Sequence, residues 1–148
     1  MTILFALMGI LSGMFLAVQA PINALAAREL GTPIAAAGLS FSVGAALLIV
    51  ISLIVARGNV PLGNLGRVPP YVIFGGGCLG AFFVTTNTLL APRLGVAALV
   101  ALVIAGQLMA GMLLDHYGAF GLTARAITPM RLMGVALAFG GAMIVRFF

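Results

Sequence analysis

Residues 2–27 read TILFALMGILSGMFLAVQAPINALAA, from Thr2 to Ala27, without a charged side chain. At about 1.5 Å of rise per residue, such a helix crosses a hydrocarbon core of about 30 Å with some tilt. An apolar anchor needs no polar side chains, yet the second half of this stretch carries Gln19, Pro21 and Asn23. Pro21 cannot donate a backbone hydrogen bond, and its ring crowds the carbonyl of Ala17. A carbonyl freed in lipid must find a partner, so the bend expected here faces protein or a wet cavity. Gln19 and Asn23 lie four apart and share one helix face. We expect this bend to line a substrate pathway that other helices complete. A signal peptide fits poorly: no basic region precedes the apolar run, which exceeds the roughly 7–15 residues of a typical signal core. The stretch is read as a mature membrane helix.

The rest of the chain has the same character. Of 148 residues, 64% are hydrophobic and 6% charged, where a soluble domain carries about 25% charged residues. The composition is that of an integral membrane protein. The net charge of +5 comes from seven arginines and two carboxylates, with no lysine. Every arginine lies at or near the end of an apolar run. They read as topology signals and lipid-headgroup contacts, not as a nucleic-acid surface. The lone cysteine, Cys78, excludes an intrachain disulfide and reads as a small packing residue.

Five apolar runs stand out, at about 4–27, 33–56, 70–91, 94–115 and 129–145. The fold class expected is an all-α integral membrane protein of five transmembrane helices, folded as one transmembrane domain over 1–148. Thr32-Pro33 and Thr128-Pro129 each supply a capping side chain followed by proline at the first helical position. Gly58 to Pro69 and His116 to Thr128 read as loops, and Pro92-Arg93 as a tight turn. Short turns make antiparallel neighbours, so runs one and two, and three and four, should form hairpins followed by a final helix.

An odd number of spans puts the termini on opposite sides. Arg57, Arg67, Arg125 and Arg131 then share the side of the N-terminus, against Arg28, Arg93 and Arg146. The positive-inside rule works through an Arg/Lys excess, and here the excess is one arginine. N-inside is favoured if the chain has one orientation. The near-balance also admits dual topology, with copies inserting both ways and pairing antiparallel. Small residues recur four apart at Gly9/Gly13, Gly38/Ser42/Ala46, Gly76/Gly80, Ala101/Ala105 and Gly134/Ala138/Ala142, stripes that let helix backbones approach closely.

Polar groups in lipid are costly unless bonded. Gln19, Asn23, Ser40, Ser42, Asn87 and Gln107, with Thr85 and Thr86, are the polar side chains within the runs singled out. Each alone reads as an interhelical hydrogen bond, worth about 0.6 kcal/mol. Gln19, Asn23, Asn87 and Gln107 together, beside a helix break, read as a binding site. Serines and threonines weigh less because they can bond their own i−4 carbonyl. No charged residue lies mid-membrane. Asp115 is the single acid offered for coupling, and it sits about 12 Å from the middle of its helix. An interfacial cap or an arginine partner explains it better than a proton relay. A neutral, zwitterionic or weakly charged solute fits such a pathway better than a multiply charged cation. No catalytic set, nucleophile elbow or metal-ligand cluster is visible, and Gly75-Gly76-Gly77 lacks the lysine of a phosphate loop. No cofactor is expected.

Several stretches carry a family resemblance: QAPINALAAREL with GTPIAAAGLSFSVG, GGGCLGAFFVTTNTLLAPRLGVA, VIAGQLMAGMLLDHYGAFG, then Pro129, Arg131 and Gly134. In this order the chain resembles the YdcZ-type family of small membrane proteins, within the drug/metabolite transporter (DMT) superfamily. The resemblance implies five helices per subunit and a transporter built as an inverted, antiparallel pair; it implies no substrate. Carried to matched positions, it points to Gln19, Pro21, Asn23, Asn87, Gln107 and Asp115. The related small multidrug resistance proteins use a glutamate inside their first helix, absent here before Glu29, so their proton-for-drug mechanism is not borrowed. The expected function is alternating-access transport of a small solute across a bacterial inner membrane by an antiparallel homodimer, with Pro21, Gly76 and Gly80 as hinge positions. A channel, or a non-transporting half of a heterodimer, are the alternatives. The expected partners are lipid, the substrate and a second copy, and no nucleic acid.

Overall fold

The computed structural model describes residues 2–58 and 62–147. They form an all-α membrane protein with five helices long and apolar enough to cross a bilayer: α1 (Thr2–Leu30), α2 (Pro33–Val55), α3 (Pro70–Leu94), α4 (Val96–Tyr117) and α5 (Pro129–Phe147). No strand occurs among the described residues.

Local chemistry sets the boundaries. The helix α1 continues through Pro21 and past Ala27, because Arg28 and Glu29 are good helix formers; it stops only before Gly31, whose φ is +80°. Thr32 is extended, and its Oγ1 accepts the Ala35 N–H at 3.0 Å, with Pro33 opening α2. That end of the hairpin is capped as the Thr-Pro pair predicts. At the other end of α2, Arg57 and Gly58 take positive φ and return their N–H groups to the carbonyls of Ile54 and Leu53.

The turn expected at Pro92-Arg93 is not there: both residues lie in the last turns of α3, which runs to Leu94. The fixed φ of proline is helical, so α3 passes through Pro92 at the cost of the hydrogen bond that the Thr88 carbonyl would have accepted. The break falls on Gly95, at φ 80° and ψ 152°, a conformation open essentially to glycine alone. Part of the first expected loop, Asn59 to Pro61, lies outside the described residues; the rest holds a short 3-10 helix, Leu62–Arg67. At the second loop, Gly118 closes α4 in the left-handed conformation (φ 56°, ψ 34°), returning its N–H to Asp115 and Leu114. A 3-10 turn, Ala119–Gly121, follows. The Arg131 N–H then bonds Thr128 Oγ1 at 3.3 Å, capping α5, which continues beyond the expected end at 145 to Phe147. Phe148 lies outside the described residues.

The chain divides into two compact units, 1–92 and 93–148. In the first, α1 packs against α2. Its buried residues are Ala20 and Asn23 near the end of α1, Ala36 and Ala37 at the start of α2, and Val84, Thr88 and Ala91 late in α3. Residues 3–16 of α1 and 45–55 of α2 are exposed throughout. The small-residue positions Gly9, Gly13, Gly38 and Gly76 accordingly meet no neighbour within 4 Å. Gly80 does: a Cβ there would stand 3.1 Å from Cζ of Phe41, so the bare backbone of α3 seats the α2 ring. In the second unit, α4 packs closely on α5. Its neighbour within this unit is the helix that follows it across the longer loop. Ala105 and Ala142 are buried there, small side chains that permit close helix approach.

Candidate substrate sites in the two units

The amides of α1 occupy the packed end of the first unit. Gln19 is half-buried and its Nε2 donates to Ser40 Oγ of α2 at 3.5 Å. That is the outer limit of a hydrogen bond, so the contact is weak and easily exchanged for a better acceptor. One turn on, Asn23 is only 5% exposed, and its Nδ2 has no hydrogen-bond partner. A buried donor left unpaired costs about 1–3 kcal/mol, which a purely structural residue would not be expected to carry. Beside Gln19 and Ser40 lies an open groove of about 300 Å³, lined also by Phe41, Gly44, Ala45 and Leu48. No charged side chain lines it. Its chemistry is that of an amide and a hydroxyl against an apolar wall, suited to a polar but uncharged group.

Four other polar side chains of this unit bond carbonyls of their own helices. Ser42 Oγ bonds the Gly38 carbonyl at 2.8 Å and Ser12 Oγ the Met8 carbonyl at 2.9 Å. Asn87, half-buried, donates from Nδ2 to the Phe83 carbonyl at 2.7 Å. Thr88, missed in the sequence, is the most completely buried polar residue of α3, and its Oγ1 bonds the Val84 carbonyl at 2.8 Å. The spacing of Val84, Thr88 and Ala91 along one helix face was the available signal.

In the second unit Gln107 is exposed and lies along a groove of about 410 Å³ between α4 and α5. The groove is lined by Gln107, Gly111 and Asp115 on α4 and by Arg131, Gly134 and Val135 on α5, among others. Asp115 Oδ2 and the Arg131 guanidinium form an ion pair. The same guanidinium donates to the carbonyls of Arg125 and Ala126 at 3.4 and 3.3 Å. The Asp115 carbonyl accepts the Arg125 N–H at 2.8 Å. Asp115 therefore anchors the 118–128 loop with both its side chain and its backbone. An acid closing one helix and an arginine opening the next are the sequence signal for this pair. The structure brings Gln19 to Ser40 and Gln107 to the groove that ends at Asp115, and it adds Arg131 and Thr88 to the residues of interest. Among the described residues no group of three or more His, Cys, Asp or Glu side chains could hold a metal ion.

Over residues 4–144 the chain matches the family described as "Putative inner membrane exporter, YdcZ". No curated protein and no solved structure matches it. With nearly its whole length covered, the chain belongs to this DMT-type family, a multi-pass protein of the inner membrane and a membrane transporter.

Proposed function

We propose that this member of the YdcZ family is a small-solute carrier that works by alternating access as an antiparallel homodimer. The whole chain acts as one transmembrane domain. Its substrate is a neutral, zwitterionic or weakly charged metabolite or drug-like compound, moved outward as the family description suggests. The observation that carries this reading is the unpartnered Nδ2 of Asn23, buried one turn from the weak Gln19–Ser40 bond. A donor held dry and unspent is prepared for an acceptor that arrives with a ligand. Ser40 contributes a hydroxyl beside it, while Gln107, Asn87 and Ser42 serve the same pathway from their own helices. Pro21, Gly76 and Gly80 are the places where the helices yield as the pathway changes sides. Asp115 takes part in coupling only by exchanging Arg131 for another partner. The antiparallel pairing draws support from the near-even arginine distribution and from the exposed halves of α1 and α2.

The test is flux in proteoliposomes against a panel of neutral and zwitterionic solutes. Wild-type protein should give saturable, counterflow-competent transport. Gln19→Ala and Asn23→Ala should each lower it by about tenfold, one lost hydrogen bond to the bound solute, while crosslinked dimer is retained. Unsaturable current would identify a channel, and equal loss of dimer would make these amides structural.

A further inference from the structure

The groove between α4 and α5 has a chemistry of its own. Gln107, Gly111 and Asp115 stand at i, i+4 and i+8 along about 12 Å of α4. Opposite them on α5 are Arg131, Gly134 and Val135. The two glycines leave the floor as bare backbone: nothing lies within 4 Å of a Cβ built on either. Leu108, Met112 and Val135 make the walls apolar.

The charged end is fixed and incompletely covered. Arg131 is held by Asp115 and by two loop carbonyls, so it cannot swing away without breaking the loop. Asp115 and Arg131 nevertheless remain 32% and 34% exposed. The pair is a dipole without net charge at the end of a membrane helix, where attraction between charges is stronger than in bulk water. A lone cation beside it is drawn to Asp115 and repelled by Arg131; a lone anion meets the reverse. A head carrying both signs can lie antiparallel to the pair and satisfy both. The apolar groove then takes whatever hydrocarbon body is attached to that head.

We propose that the α4–α5 groove is a second binding site, for a zwitterionic amphiphile whose amine faces Asp115, whose acid faces Arg131 and whose apolar body lies over Gly111 and Gly134. Two molecules share this chemistry: a phospholipid with ammonium and phosphate in its head, and a free amino acid with an apolar side chain. The site belongs to the 93–148 unit, and a binding measurement without flux decides it, separately from the carrier reading.

The experiment uses the full chain in detergent and native mass spectrometry. Phosphatidylethanolamine is compared with phosphatidylglycerol, and phenylalanine with its methyl ester and with N-acetylphenylalanine. At least one zwitterionic probe should bind about tenfold more tightly than its single-charge counterparts. Binding of phosphatidylethanolamine alone identifies the lipid as the source, and binding of phenylalanine identifies the free solute. Gly111→Leu and Gly134→Leu, whose side chains enter open space, should abolish binding while helix content and thermal stability are kept. Asp115→Asn leaves Arg131 without its counter-charge and should turn the preference to phosphatidylglycerol and N-acetylphenylalanine. Equal binding of single-charge probes by the wild type, no binding by either zwitterion, or binding that survives both leucine variants, would overturn the proposal.

Discussion

Replacing Asn23 by leucine should leave the protein more stable than the same change at Asn87, and impair transport. Leucine branches at Cγ as asparagine does but is larger, so the packing around the end of α1 must yield, a cost that a leucine control at another asparagine shares. What sets Asn23 apart is the buried Nδ2, which has no partner. Removing an orphan donor recovers its desolvation cost of about 1–3 kcal/mol. For a chain of this length that is a rise in unfolding temperature of about 2–12 °C, at about 2–4 °C per kcal/mol. Circular dichroism in detergent at one fixed scan rate measures it, because irreversible unfolding makes the midpoint rate-dependent. Asn87→Leu is the control. Its amide is already bonded to the Phe83 carbonyl at 2.7 Å, so the variant loses a bond and should be neutral or slightly less stable. Flux through Asn23→Leu should fall by at least the tenfold expected for Asn23→Ala, while Asn87→Leu retains more. A midpoint for Asn23→Leu no higher than that of Asn87→Leu would show that the Asn23 amide has a structural partner, and the reasoning from an unspent donor would fail.

Two other outcomes follow from the geometry. Gly118→Ala should cost about 1–3 kcal/mol of stability, since a left-handed alanine carries about 1–2 kcal/mol of strain and its Cβ would sit 3.0 Å from the Leu122 carbonyl oxygen; denaturant titration reads it. Reporter fusions to the C-terminus, one active only in the cytoplasm and one only outside it, should both give signal if copies insert both ways, and signal from one alone would remove the antiparallel homodimer.

The five spans were legible because lipid imposes a long apolar run on every crossing helix, and the two Thr-Pro caps fixed where α2 and α5 begin. Helix ends were less so. Arg28 and Glu29 look like a boundary by charge but are good helix formers, and Pro92 looks like a breaker but sits in the final turns of α3. In both places the glycine that follows, Gly31 or Gly95, makes the break through a positive φ. Among the polar residues, sequence spacing placed Gln19 and Asn23 on one face. It could not show that Asn87 and Ser42 bond carbonyls of their own helices, because that choice depends on what the neighbouring helices offer. An arginine partner for Asp115 was legible from its place at a helix end, but the choice of Arg131 depends on the fold of the loop between them.

The most direct test of the account is thiol accessibility at Asn23, which needs no known substrate. In a Cys78→Ala background, which removes the one native cysteine, Asn23→Cys is compared with Ile22→Cys, an exposed position on the same turn of α1. The site is closed in this conformation, and alternating access must open it to water in another, so a small water-soluble thiol reagent should modify Asn23→Cys in native membranes and leave Ile22→Cys untouched in lipid. Reaction at Ile22→Cys with none at Asn23→Cys would contradict the account and place the pathway elsewhere.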